Sequence, residues 1–143
     1  MVARTAEAEW RGSLRQGAGV MKLGSGAFEG RYSFGTRFAE EKGTNPEELV
    51  AAAHAGCFSM ALALGLGEAG FTPQRIHTPA QVHIERVQDG FRITRIELET
   101  DADVPGIDEG KFRQHAEAAK RDCPVSRALA GAEITLNARL GRR

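Results

Sequence analysis

Two cysteines, an arginine and a histidine set the chemistry that this sequence can perform. Cys57 lies inside a long Ala-rich apolar stretch, and Cys123 stands directly before Pro124. A lone thiol in such surroundings is by default a small buried hydrophobe. Its company changes that reading: there is a second thiol, and Arg37 has acidic neighbours just upstream of the apolar stretch. A reactive thiol must ionise, and a thiolate in an apolar site needs a cation and hydrogen-bond donors to depress its pKa. Arg37 is the candidate cation. His54, three residues before Cys57, shares its helical face and permits a Cys-His pair for acyl transfer or half of a metal site. Neither is complete, because no third ligand falls at a diagnostic spacing and no acidic orienter for His54 is visible. A satisfied core histidine is the simpler reading, and His77, His83 and His115 receive no role.

The element that must hold Cys57 is the stretch from Thr44 to Leu66. Its start is over-specified: Asn45 can cap, Pro46 suits the first helical position, and Glu47 and Glu48 put negative charge at the positive end of the helix dipole. Glu48 also stands at capping-box spacing from Asn45. From Leu49 onward nearly every residue is small or apolar, which predicts a helix surrounded by protein on all sides, with Gly70 as its stop. Leu49 to Leu66 is about long enough to cross a bilayer. The Ala and Gly content, His54, the charged flanks and the absence of a second such segment favour instead the central helix of an oligomeric α/β domain, with no membrane partner.

A chain of 143 residues suffices for one domain, residues 1–143, with a real core. Lysine plus arginine balance aspartate plus glutamate at 19 each, so no global field draws nucleic acid or anionic lipid. Met1 to Gly12 has no apolar signal region, which makes a cytoplasmic location the default. Thiols in that compartment stay reduced rather than forming permanent staples. The cysteines are too far apart in sequence for a Cys-x-x-Cys motif or a local zinc knuckle, and any partnership between them must be made by the fold.

Thr5 to Arg11 and Val20 to Leu23 read as strands of a glycine-rich antiparallel meander, with Gly24-Ser25-Gly26 as a turn. Phe28, Tyr32, Phe34 and Phe38 cluster before the central helix, where they could pack on it or wall a substrate pocket. Thr78 to Val87 alternates as a half-buried strand, and Asp89-Gly90 is a strong hairpin signal leading into Phe91 to Thr100. The apolar parity of that second strand slips near Thr94 and Arg95, which predicts a β-bulge. Asp108 caps a helix whose stripe is Phe112, His115, Ala116, Ala119 and Cys123. Pro124 ends it and opens a short helix, Val125 to Ala130, before a final strand from Ile134 to Leu140.

Several blocks now identify a family. Thr36-Arg37-Phe38, Gly43-Thr44-Asn45-Pro46-Glu47-Glu48-Leu49 and Ala52-Ala53-His54-Ala55-Gly56-Cys57-Phe58-Ser59-Met60-Ala61-Leu62 resemble the OsmC branch of the OsmC/Ohr thiol peroxidases. Gly67 to Pro73, Val104 to Ile107 and Cys123-Pro124-Val125-Ser126 continue the resemblance over essentially the whole chain. Gly56 stands where alanine is common. The resemblance implies the OsmC/Ohr-like α+β fold: a curved, mostly antiparallel sheet, a long buried central helix, a second helix and an intertwined homodimer. It also implies a two-cysteine peroxidase that prefers organic hydroperoxides and carries no cofactor, its reductant being an external dithiol such as a lipoylated protein. Carried over by motif position, Cys57 is the peroxidatic thiol, Cys123 the resolving thiol, Arg37 the activator and Glu47 the carboxylate that orients Arg37.

Glu47 and Cys57 are ten residues apart on one helix, hence roughly 15 Å along its axis. If Glu47 serves Cys57 through Arg37, the two halves of the site come from different subunits. Phe28, Tyr32, Phe34 and Phe38 are then the expected pocket wall. Two rival readings remain: a Cys57-His54 acyl hydrolase, and a non-enzymatic dimer that binds an apolar ligand and keeps its thiols inert.

Overall fold

The computed structural model describes residues 2–141, which form two compact units meeting between Leu49 and Val50. The unit up to Leu49 opens with the strands β1 (Ala6–Arg11), β2 (Ala18–Leu23) and β3 (Glu29–Tyr32), an antiparallel meander in that order. One row across it reads Trp10, Gly19, Tyr32. The absent side chain at Gly19 lets the two rings close over it at 5.3 Å, where a Cβ would come within 2.7 Å of both. The short helix α1 (Phe34–Phe38) follows, and the first turn of α2 (Pro46–Glu68) closes the unit.

Helix α2 starts and stops where the sequence places its signals. Asn45 Oδ1 accepts the Glu48 amide at 2.8 Å, and Gly70 turns the chain at φ +91° while the Phe71 amide returns to the Leu66 carbonyl. Glu48 does not close the capping box that its spacing predicts; its carboxylate accepts the Thr44 hydroxyl at 2.8 Å instead. The larger correction concerns burial. Only one stripe of α2, His54, Phe58, Leu62 and Leu66, is fully buried, whereas Met60 and Leu64 remain 77% and 64% exposed. A single chain of this size has too little other mass to cover a helix on every side.

In the unit from Val50 onward, the long β6 (Gly90–Asp103) is the middle strand of a second sheet. Along one edge it pairs antiparallel with β5 (Ala80–Val87) and then β4 (Arg75–His77); on the other it pairs parallel with β7 (Glu133–Leu140). The chain therefore has two separate sheets where the sequence reading expected one, and the second is mixed. The predicted bulge is present: His83 faces Arg95 and Ile84 faces Ile93, so Thr94 has no opposite number. Helix α3 (Glu109–Asp122) is capped by Asp108, whose Oδ1 accepts the Lys111 amide at 2.8 Å. Its buried Phe112, Ala116 and Ala119 share one core with Phe58, Leu62 and Leu66 of α2 and with Ile96, Leu98 and Ala102 of β6. By length and composition α2 also qualifies as a membrane span, yet its apolar stripe is spent on this core.

Candidate active site

Cys123 ends α3 and begins α4 (Pro124–Ala128). Pro124 cannot continue the incoming helix but suits the first position of the next. Cys123 accordingly leaves helical geometry, at φ −56° and ψ 130°, donates its amide to the Ala119 carbonyl, and accepts the Ser126 amide on its sulfur at 3.4 Å. The thiol thus occupies the capping place usually held by a serine or aspartate oxygen. The shared core brings α4 to the middle of α2, where Cys123 Sγ and Cys57 Sγ stand 2.9 Å apart as free thiols. A second contact lies one helical turn away, His54 Nε2 to Ser126 Oγ at 2.7 Å. Matching three-residue spacings on two helices, His54 to Cys57 and Cys123 to Ser126, produce this two-rung ladder. Ser126 was missed in the sequence because a serine after Cys-Pro reads only as a helix former near a cap; the shared spacing was the available signal.

The two sulfurs are close enough to share a proton. Burial raises the Cys57 pKa, the neighbouring Cys123 raises it further, and the Val125 amide opposes them with a smaller effect. Burial also works against a Cys123 thiolate, but hydrogen bonds from Cys57, from the Ser126 amide and hydroxyl, and from the Val125 amide outweigh it, so the Cys123 pKa falls. The two thiols share their proton as a pair, and the Ser126 and Val125 amides are the donors that favour its negative charge. His54 is fully buried, and desolvation lowers its pKa. Its Nδ1 has no hydrogen-bond partner and its Nε2 faces Ser126, so neither ring nitrogen serves Cys57.

A groove of about 940 Å³ opens onto Cys57, walled mainly by Met60, Ala61, Leu64, Ala119 and Pro124, with His115, Glu68 and Asp122 as its polar margin. These walls come from α2, α3 and α4. Of the aromatics expected to wall a pocket, Tyr32, Phe34 and Phe38 line a different cavity, of about 260 Å³, together with Trp10 and Arg37 inside the N-terminal unit. Phe28 does not line it; its ring folds over Gly30, where a Cβ would meet it at 2.5 Å.

Arg37 lies on α1, a helix that the sequence pattern does not announce. Ser33 caps it in a reciprocal capping box, its Oγ accepting the Thr36 amide at 3.2 Å while Thr36 Oγ1 accepts the Ser33 amide at 2.8 Å. Threonine in place of the usual Glu or Gln hid this signal. Gly43, at φ +147° and against Thr36, lets the chain double back, and Asn45 Nδ2 donates to the Thr36 carbonyl. The turn presents Arg37 to Glu47 as a fork: Nε donates to Oε1 at 3.0 Å and Nη2 to Oε2 at 2.7 Å. Glu47 is buried while the Arg37 side chain stays 35% exposed beside the Phe38 ring. This fixes the guanidinium plane and keeps part of the group open to solvent.

Comparison with known proteins decides the family. A model described as OsmC-like protein matches residues 39–138. The chain belongs to the OsmC family. Over 140 residues it is 50% identical to the peroxiredoxin OsmC of Escherichia coli K12, covering 97% of each chain. The organic hydroperoxide resistance protein of Xanthomonas axonopodis pv. citri is 33% identical over 96 residues, 66% of each chain. Among solved structures, the organic hydroperoxide resistance protein OhrB of Bacillus subtilis superimposes with a TM-score of 0.68 at 26% identity, covering 96% of this chain and 98% of that one. The OsmC-like protein of Mycoplasma pneumoniae, at 16% identity and a TM-score of 0.76 over 99% of both chains, shares the OsmC fold. Among the described residues no group of three His, Cys, Asp or Glu is placed to hold a metal.

Proposed function

We propose that this OsmC protein is a thiol-dependent peroxidase that reduces organic hydroperoxides to alcohols. The 2.9 Å approach of two free thiols at the wall of an apolar groove carries this reading. The Cys57 thiolate attacks the terminal peroxide oxygen, the O–O bond breaks, and the alkoxide leaves as an alcohol after taking a proton. Cys57 is left as a sulfenic acid. Cys123 then attacks the Cys57 sulfur, the S–O bond breaks, water leaves and a disulfide forms. Bringing the sulfurs from 2.9 Å to a bond of about 2.05 Å takes less than about 1 Å of travel. An external dithiol, for which a lipoylated protein is our candidate, returns the pair to thiols by exchange. A cytoplasmic location keeps it reduced between turnovers.

Activation of Cys57 requires a cation, because burial holds its thiol pKa above the ordinary value. We assign that cation to Arg37, oriented by Glu47, acting from the partner subunit of a homodimer. The separation of Glu47 and Cys57 along α2 supports the sharing, and the uncovered Met60 and Leu64 supply apolar surface for a second copy. An acyl hydrolase is disfavoured because both ring nitrogens of His54 are turned to other surroundings than Cys57.

The decisive experiment is intact-mass and peptide mass spectrometry of the reduced protein after one equivalent of cumene hydroperoxide, comparing wild type with Cys123→Ser. A Cys57–Cys123 disulfide in wild type, and Cys57 held as sulfenic or higher acid in the variant, is the expected result. Thiols that stay reduced would transfer the protein to the ligand-binding reading.

A further inference from the structure

The second rung of the ladder has no part in the cycle above. His54 is fully buried, a costly place for an imidazole, and makes one hydrogen bond, to Ser126 at 2.7 Å. With Nδ1 unpartnered, protonating Nε2 leaves a buried lone pair bare, whereas protonating Nδ1 leaves a buried N–H bare. Unmet acceptors are the better tolerated of the two, so Nε2–H donates to Ser126 Oγ. The serine hydroxyl proton is then released toward Cys123, whose sulfur already accepts the Ser126 amide at 3.4 Å. The chain of donors runs one way, from α2 through Ser126 to the sulfur that α2 faces.

We propose that His54 and Ser126 are positioning residues of disulfide formation, clamping the first turn of α4 so that Cys123 reaches the Cys57 sulfenic acid before a second peroxide does. The inference rests on the peroxidase reading and concerns only its second step. In that step the S–O bond of the Cys57 sulfenic acid breaks as the Cys123–Cys57 S–S bond forms. The Cys123 thiol proton leaves with the hydroxide as water, Cys123 is oxidised and Cys57 is reduced. The competing fate is sulfinic acid at Cys57, formed by another hydroperoxide molecule and not reversed by a dithiol. Because the ring is neutral, the clamp adds no charge of its own beside the two sulfurs.

The test follows full-length protein through repeated turnovers with cumene hydroperoxide and a dithiol, counting disulfide against sulfinic acid by mass spectrometry. The rate of sulfenic acid formation is measured separately in single turnover. Ser126→Ala should raise the sulfinic fraction per turnover by about tenfold, the scale of one lost hydrogen bond. Its rate of sulfenic acid formation should not fall below the wild-type value. Ser126→Thr, which keeps the hydroxyl, should restore low over-oxidation, as should His54→Gln beside a failing His54→Leu. Should His54→Leu not fold, the serine variants decide alone. Wild-type over-oxidation in folded Ser126→Ala would overturn the proposal, and so would an equal loss in sulfenic acid formation. If wild-type Cys57 is never oxidised at all, the peroxidase reading itself has failed, an outcome distinct from both.

Discussion

Arg37 and Glu47 meet across ten residues of chain, through a capped turn that doubles back, whereas Cys57 and Cys123 meet across 66. The first pair is set by local hydrogen bonds: the Ser33 cap, Gly43, and the Asn45 side chain on the Thr36 carbonyl. The second depends on α3 seating Phe112, Ala116 and Ala119 in the core that also holds Phe58 and Leu62. Exposure differs in the same sense. The guanidinium remains reachable at one edge, while Cys123 is sealed and only Cys57 faces the groove. A charge left at the edge of its unit is held by few, local bonds, and a thiol that faces a distant segment of the same chain is held by the whole core.

Removing the charge should give the largest effect. Arg37→Ala is expected to slow Cys57 oxidation by about two to three orders of magnitude, the scale of losing one preorganised charge contact, and to move the pH midpoint of Cys57 alkylation upward. Mixing Glu47→Ala with Cys57→Ser subunits then asks whose arginine acts: activity recovered in heterodimers means sharing, and none recovered under confirmed mixing rejects it.

Loosening the core should strike the sulfur pair instead. Phe112→Ala is expected to cost about 3–5 kcal/mol of unfolding free energy in denaturant titrations. In whatever fraction stays folded, the disulfide should form more slowly while the Arg37–Glu47 pair is untouched. A variant that lost stability but formed its disulfide at the wild-type rate would show that α4 is held independently of α3.

The smallest effect belongs to His54. Its folded pKa lies below the ordinary histidine value, so between the two the unfolded chain binds more protons. Stability should therefore be full above about pH 6.5 and decline as pH falls below it, levelling off under the folded value. His54→Gln has no such titration, and comparing the slopes of stability with pH for the two proteins isolates the contribution. An identical slope in the variant would place the acid sensitivity elsewhere.

Much of this was legible in the chain itself. The ends of α2, the Asp89-Gly90 hairpin, the slip at Thr94, the Asp108 cap and the Pro124 break are local events, decided within a few residues by propensity and hydrogen bonding, so the sequence specifies them. Helix α1 was just as local and escaped only because Thr36 is an unusual capping-box partner. What the sequence could not decide was which side of α2 this chain would cover. A helix apolar all round has no phase, and only the docking of α3 and the sheet chose His54, Phe58, Leu62 and Leu66 and left Met60 and Leu64 outside. The same docking selected Ser126 as the partner of His54 and brought Cys123 to Cys57. Those are contacts between distant segments, and their geometry follows from how two packed faces interlock rather than from the residue types on either one.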